Sequence, residues 1–126
     1  MQKILVAEDE QAIAEMYKIK LEAEGYEVKV AQNGKTAMEL AEKFKPDLVL
    51  LDLMMPIMSG PQMLEKMRKT DWGKNTAVII ITNLGQDQST IDLEKMKVHA
   101  YIVKALYTPK QIVEEVRQAL KKPRKG

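Results

Sequence analysis

Apolar residues follow two alternating patterns along this chain. Short apolar runs bounded by glycine, proline or polar residues predict β-strands, and longer segments with apolar residues three or four positions apart predict amphipathic helices. Residues 48–51 are all apolar, and the run ends abruptly at Asp52. Because a strand without a polar face must be covered on both sides, this run predicts a central strand of a parallel sheet.

Strands and helices are predicted to alternate from one end of the chain to the other. Gly25 suits the end of the first helix, Asn33-Gly34 predicts a turn, and Thr108 is a good N-cap for the last helix. Five strand–helix units in 126 residues predict a doubly wound α/β sandwich. The predicted strands cover residues 3–7, 26–31, 48–51, 77–81 and 101–103, and the predicted helices cover about 10–24, 37–44, 61–67, 88–96 and 109–120.

Length and composition are those of one globular domain. The chain has 126 residues, 45% of them hydrophobic and 30% charged, with a net charge of +2. We expect residues 1–121 to form the domain and residues 122–126 to be a short basic, solvated tail. No apolar run approaches the roughly 20 residues of a membrane span, and the N-terminus has no secretory signal pattern. Without cysteine, disulfides and thiolate metal sites are excluded, which fits a cytoplasmic protein.

Acidic residues follow two of the predicted strands. Glu8 and Asp9 come directly after the first strand, and Asp52 ends the third. The carboxyl ends of parallel strands meet at one edge of a sheet, so these carboxylates should lie close together. Two such charges about 4 Å apart repel by on the order of 4 kcal/mol at an effective dielectric near 20. The pattern therefore predicts a hard divalent cation, magnesium, bound by oxygen ligands.

Two further polar residues stand at the same predicted edge. Thr82 follows the fourth strand and Lys104 follows the fifth. Each residue alone is unremarkable, because acids after a strand often cap a helix and a lysine there is often solvated. Together, a carboxylate nucleophile at Asp52, metal ligands, a hydroxyl and an ammonium are what a phosphoryl group requires.

Four segments carry a resemblance to a known family. ILVAEDE contains the acidic pair, LLDLMMPIMSG contains Asp52, IIITN contains Thr82, and AYIVK contains Tyr101 and Lys104. From about residue 3 to residue 120 the chain resembles the receiver domain of two-component response regulators. This family is flavodoxin-like and includes the chemotaxis receiver. The resemblance implies a five-stranded parallel sheet in the order 2-1-3-4-5 with five helices.

The resemblance also implies the roles of the site residues. Asp52 would be phosphorylated by a sensor histidine kinase or a phosphotransfer protein. Magnesium would be held by Asp9, Asp52 and the Met54 carbonyl, and Glu8 would reach it through water. Such a domain is not an enzyme acting on other substrates, since it catalyses only its own phosphorylation and dephosphorylation.

A switch and an output face are implied as well. Thr82 and Tyr101 would be the switch residues, and the fourth helix, fifth strand and last helix would bind an unidentified downstream protein. We expect a stand-alone receiver with no direct nucleic acid or membrane binding, either monomeric or forming a weak phosphorylation-dependent dimer.

Three positions depart from the family pattern without removing a chemical group. Glu8 stands where aspartate is equally familiar, and its extra methylene suits a water-mediated contact. Lys97 stands where a glycine usually ends the fourth helix, so that end should be capped differently. Ala105 stands where proline is usual. A cis bond without proline costs about 2.5–4 kcal/mol, so we predict a trans Lys104–Ala105 peptide.

The alternatives fit the residues less well. A phosphatase of the haloacid dehalogenase class needs an acid two residues after its nucleophile, and Met54 occupies that position. A flavodoxin-type electron carrier needs hydroxyls and amides after the first strand, where this chain has carboxylates. The single histidine, His99, precedes a short strand, so we predict a surface residue rather than a phosphoacceptor.

Overall fold

One parallel sheet carries the whole fold. The computed structural model of the protein describes residues 1–83 and 95–121. Its strands pair in the order β2-β1-β3-β4-β5, as expected. The strands are β1 (Lys3–Ala7), β2 (Glu27–Ala31), β3 (Leu48–Asp52), β4 (Ala77–Thr82) and β5 (Ala100–Val103), and the helices are α1 (Gln11–Ala23), α2 (Gly34–Phe44), α3 (Gly60–Arg68) and α4 (Pro109–Lys121).

Alternate residues of each strand supply two separate cores. In β3, Val49 and Leu51 pack with α2 and α3, whereas Leu48 and Leu50 pack with α1 and α4. All four side chains are fully buried. A strand covered by helices on both faces has no solvent-facing position, which explains its uninterrupted apolar sequence. The predicted doubly wound α/β architecture is confirmed.

The fourth predicted helix falls mostly outside the described residues. Residues 88–94 of that prediction are not among them, and Lys95–Lys97 form a turn before β5. Lys97 has a φ of 58°, the left-handed backbone that a glycine adopts without strain. A lysine therefore takes up the conformation for which the family usually has glycine. No helix in the described ranges is long and apolar enough to cross a membrane.

Two of the three residue signals that predicted helix ends or turns agree with the structure, and one does not. Gly25, with φ of 95°, follows α1, and Thr108 caps α4 by accepting a hydrogen bond from the Gln111 amide at 3.1 Å. Asn33-Gly34 is not a turn, because Asn33 caps α2 and Gly34 is its first helical residue. The prediction was wrong because the dipeptide Asn-Gly occurs in turns and also at the starts of helices. Described peptide bonds are trans, including Lys104–Ala105 as predicted.

Candidate functional site

Three carboxylates converge at the carboxyl edge of the sheet. Ala7 pairs with Leu51, so Glu8 and Asp9 continue beside Asp52. One carboxylate oxygen from each of the three acids lies within 4.8 Å of the others. Glu8 is 0% exposed and Asp52 2% exposed, whereas Asp9 faces solvent. The cluster therefore has a buried floor and an open side.

Lys104 reaches this cluster from the far side of β4. Thr82, the last residue of β4, pairs with Val103, the last residue of β5, and Lys104 comes directly after Val103. Lys104 therefore lies at the carboxyl edge of the sheet. Its Nζ lies 2.5 Å from Glu8 Oε1 and 3.5 Å from Asp52 Oδ2, and its side chain is 9% exposed. The other Glu8 oxygen accepts a hydrogen bond from the Glu10 amide at 3.0 Å. The lysine thus neutralises part of the buried negative charge and lies closer to Glu8 than to Asp52.

Burial and mutual repulsion change the acidity of the site. Burial, the charge of Glu8 and a hydrogen bond with Asp9 raise the pKa of Asp52 to about 8, although Lys104 opposes the shift. Burial lowers the pKa of Lys104, but its contact with Glu8 and the charge of Asp52 outweigh that effect, so its pKa is raised. Two buried carboxylates cannot both remain charged without a sufficient cation. When Asp52 is ionised, the site therefore carries more negative charge than Lys104 offsets.

The negative potential extends to α1. Tyr17 is 4% exposed. Its pKa is raised to about 12 by burial and then by the charges of Glu8 and Asp52. The sequence places Tyr17 only on the buried face of a helix, because the 3.6-residue period does not show what a hydroxyl at the end of a ring will meet.

The loop after Asp52 packs closely against the start of α3 and is hydrogen-bonded to the start of α2. The Met54 amide lies 3.4 Å from Asp52 Oδ1, to which it donates, while the Met54 side chain is 60% exposed. A side-chain Cβ on Gly60 would lie 2.3 Å from the Asp52 carbonyl oxygen, so only glycine allows α3 to start this close. The Gly34 amide donates to the Met58 carbonyl at 3.0 Å, which ties the loop to α2.

Ile57 in this loop is strained. Its φ is 70°, and the Met58 amide donates to the Pro56 carbonyl at 2.7 Å across it. A β-branched residue in the left-handed region is unfavourable by about 1–3 kcal/mol. Ile57 is 75% exposed, so burial of its side chain does little to compensate for the strain.

The predicted switch residues lie on the neighbouring strands β4 and β5. Thr82 is 1% exposed at the end of β4, and its hydroxyl donates to the Asn83 carbonyl at 3.3 Å. Tyr101 pairs with Ile80 and packs against the core on the α2 and α3 side. Its hydroxyl is buried and has no hydrogen-bond partner among the described residues.

His99 lies at the opposite end of the sheet. It precedes β5, and its Nε2 is 3.9 Å from Glu115 on α4. The structure therefore brings together Glu8, Asp9, Asp52 and Lys104, places Thr82 at the same edge, and keeps the histidine away from them.

The donors suit a hard divalent cation. All three acids offer oxygen, the ligand type that magnesium prefers. Glu8 Oε1 and Lys104 Nζ are buried without an aligned hydrogen bond, so both have capacity for a further partner. The residues present fit magnesium.

A doubly wound parallel sheet with an acidic cluster and a lysine at its carboxyl edge defines a phosphoryl-accepting signalling class. The family model of the response regulator receiver domain matches residues 4–117. The chain belongs to this family and is a receiver domain of the two-component type.

Individual relatives agree with this assignment. The transcriptional regulatory protein SrrA of Staphylococcus aureus is 34% identical over 120 residues, which are 95% of this chain and 48% of SrrA. The chain thus spans about half the length of the curated relatives it matches. The chemotaxis response regulator CheY4 of Vibrio cholerae superimposes with a TM-score of 0.85 at 25% identity, covering 95% of this chain and 99% of that one. The receiver domain of the Francisella response regulator 1452 gives 0.83 at 31% identity, covering 96% and 98%.

Proposed function

We propose that Asp52 accepts a phosphoryl group from a phosphohistidine on a sensor histidine kinase or a phosphotransfer protein. The observation that carries the proposal is the convergence of Glu8, Asp9, Asp52 and Lys104 at one edge of the sheet. A carboxylate oxygen of Asp52 attacks phosphorus, and the bond between phosphorus and the imidazole nitrogen breaks. The electron pair of that bond stays on the imidazole nitrogen, and the ring takes up a proton from solvent, so that a neutral histidine leaves.

Asp9, Asp52 and the Met54 carbonyl are the proposed magnesium ligands, with Glu8 acting through water. Bound magnesium supplies positive charge to the oxygens of the transferring group. The water-mediated role of Glu8 is supported by its present contacts, because Oε1 is paired with Lys104 by charge but has no aligned hydrogen bond and can still accept one from a water. Lys104 and Thr82 bind phosphoryl oxygens that the metal does not reach.

The phosphoryl group then changes the charge and the shape of the edge. It carries about −1.5 to −2 charges, so it draws Lys104 from Glu8 and the Thr82 hydroxyl from the Asn83 carbonyl. Tyr101 rotates toward the space that Thr82 leaves. Its buried hydroxyl has no hydrogen-bond partner among the described residues, so moving it breaks no bond there.

The output partner is proposed to be a separate protein that binds β5, α4 and the segment between β4 and β5. Along the chain, β5 carries Tyr101 and is followed by Lys104 and then by α4. The similar SrrA is named a transcriptional regulatory protein, and this chain matches about half of it. We propose no nucleic acid contact for the matched half itself, and a monomer or a weak phosphorylation-dependent dimer.

The proposal is tested by intact mass after incubation with acetyl phosphate and magnesium. One phosphate should be added to the parent protein and to Asp71→Asn, a matched control at an exposed aspartate in the loop after α3. Asp52→Asn should gain none. Phosphate on Asp52→Asn at the parental rate would contradict the assignment. Transfer from a phosphorylated histidine protein then tests the class of donor.

A further inference from the structure

Arg68, the last residue of α3, binds backbone carbonyls that belong to other segments. Its Nε donates to the Met96 carbonyl at 2.8 Å, and its Nη2 donates to the Lys97 carbonyl at 3.2 Å. Its Nη1 donates to the carbonyls of Gly73 and Thr76 at 2.7 and 2.8 Å. The rigid fork of a guanidinium can satisfy several acceptors at once, which a lysine cannot reproduce.

This arrangement differs from ordinary charge placement at a helix end. A cation in the last turn commonly binds the final carbonyls of its own helix. The four acceptors here lie in the loop leading to β4 and in the turn leading to β5. Arg68 therefore joins α3 to the starts of both strands whose ends carry Thr82 and Lys104.

β5 is a short strand that is held on one side only by the sheet, in addition to the burial of Ile102 in the core. It has four residues, lies at the edge of the sheet and pairs only with β4. The turn before it contains Lys97 in the left-handed region, which is unfavourable for a residue with a side chain. Hydrogen bonds from Arg68 to Met96 and Lys97 hold this turn. The Lys97 side chain adds a contact of 3.4 Å to Asn75.

The opposite end of α3 is fixed to the acceptor. The Gly60 amide donates to the Leu53 carbonyl at 3.1 Å, and the space for a Cβ on Gly60 is filled by the Asp52 carbonyl oxygen. One helix thus contacts the backbone of Asp52 at its start and holds the base of β5 at its end. Lys104 immediately follows β5, so a shift of β5 relative to α3 would change the distance between Lys104 Nζ and Asp52.

We propose that Arg68 is a positioning residue for Lys104, acting through the turn at residues 95–98 and β5. The inference rests on the proposed function, since it gives Lys104 a part in binding the phosphoryl group. It assigns Arg68 no contact with that group. Its loss should release β5 while leaving β1, β2 and β3 in place.

Amide hydrogen exchange tests the structural half of the proposal without phosphorylation. In Arg68→Met, which keeps the aliphatic stem, amides of β5 bonded to β4 should exchange on the order of tenfold faster than in the parent. Amides of β1 and β3 should be unchanged, and Arg68→Lys should be intermediate. Arg117→Met is the matched control, because Arg117 on α4 makes exposed ion pairs with Glu24 and Glu114. Unchanged β5 exchange, or equal acceleration in all strands, overturns the proposal.

A double-mutant cycle tests the functional half. Beryllofluoride with magnesium serves as the phosphoryl mimic, and its dissociation constant is measured for the parent, Arg68→Met, Lys104→Met and the double variant. If Arg68 acts through Lys104, its substitution weakens binding in the parent but not in Lys104→Met. If the fold-increase in the dissociation constant of the double variant equals the product of the two single-variant increases, the proposal is overturned. Absence of binding by the parent would instead count against the proposed function, and the exchange result would still test the link to β5. If Arg68→Met does not fold, Arg68→Lys is used in both experiments.

Discussion

The buried acidic cluster should make the metal-free protein lose stability as pH rises through neutrality. The pKa of Asp52 is raised to about 8 in the folded protein, mainly by burial and then by Glu8, whereas an unfolded aspartate has a pKa near 3.9. The folded state therefore binds this proton more tightly. Stability from this group is fully present below pH 4 and is lost as pH rises through 8. Asp52→Asn should remove the effect.

The size of the loss follows from the shift. Each pH unit between the two pKa values costs about 1.4 kcal/mol in the free energy of unfolding. From pH 5 to pH 7 the metal-free protein should therefore lose roughly 2–3 kcal/mol. This is a large part of the 5–15 kcal/mol typical of a domain. Ordinary carboxylates are already ionised in this window, so they contribute little.

Urea unfolding of the metal-free protein at several pH values measures the effect. The parent and Asp52→Asn are both measured with His99→Gln, which removes the single histidine of the sequence from both. The midpoint should fall with pH in the parent and stay level in Asp52→Asn, which should be the more stable of the two at pH 7. Saturating magnesium should raise the parental midpoint most at high pH. A parental midpoint that is constant or rises from pH 5 to 7 would refute the reasoning.

Other parts of the site give further expectations. Millimolar magnesium should raise the melting temperature of the parent, and Asp9→Ala should lose most of that rise; no rise in the parent would argue against the metal site. Lys104→Ala should still be phosphorylated but should lose the phosphate-induced amide shifts in β5, and identical NMR shifts would disprove the coupling. Gly60→Ala should destabilise the protein by about 1–3 kcal/mol in urea unfolding, because its Cβ would meet the Asp52 carbonyl; unchanged stability would show that α3 can move. Ile57→Gly should stabilise by about 1 kcal/mol, since the relief of left-handed strain exceeds the entropy cost of glycine, and a lower midpoint would count against strain there.

The sheet and the acid cluster could be predicted from the sequence because both follow from local patterns of apolar and acidic residues. Each residue of 48–51 is apolar because the two cores take alternate residues of β3. Asp52 then stands at the carboxyl edge whatever the details of packing. Asn33-Gly34 was misassigned because the same dipeptide serves turns and helix starts. Only the close approach of the Met58 carbonyl to Gly34 decides between them.

Contacts between distant side chains were not predictable in this way. Arg68 lies 28 residues before the Met96 carbonyl that it binds, and a hydrophobic period identifies it only as a polar residue at a helix end. The proximity of Tyr17 to the acids depends on how α1 sits on the sheet. The preference of Lys104 for Glu8 over Asp52 depends on rotamers. These features arise from tertiary packing, about which single-sequence patterns carry no information.

If the proposed function holds, the ion pair of Lys104 and Glu8 would make metal binding and phosphoryl binding interdependent. Lys104 Nζ is 2.5 Å from Glu8 and 3.5 Å from Asp52, so the lysine acts as the resting counter-ion of Glu8. A phosphoryl group that attracts Lys104 would leave Glu8 Oε1 without its counter-ion and available to act on the proposed magnesium through water. Linked equilibria are reciprocal, so the affinity for magnesium should rise after phosphorylation. For the same reason, removing magnesium with a chelator should weaken the interaction between Lys104 and the phosphoryl group. The concentration of free magnesium would then set how long Lys104 stays away from Glu8, in addition to how fast Asp52 is phosphorylated.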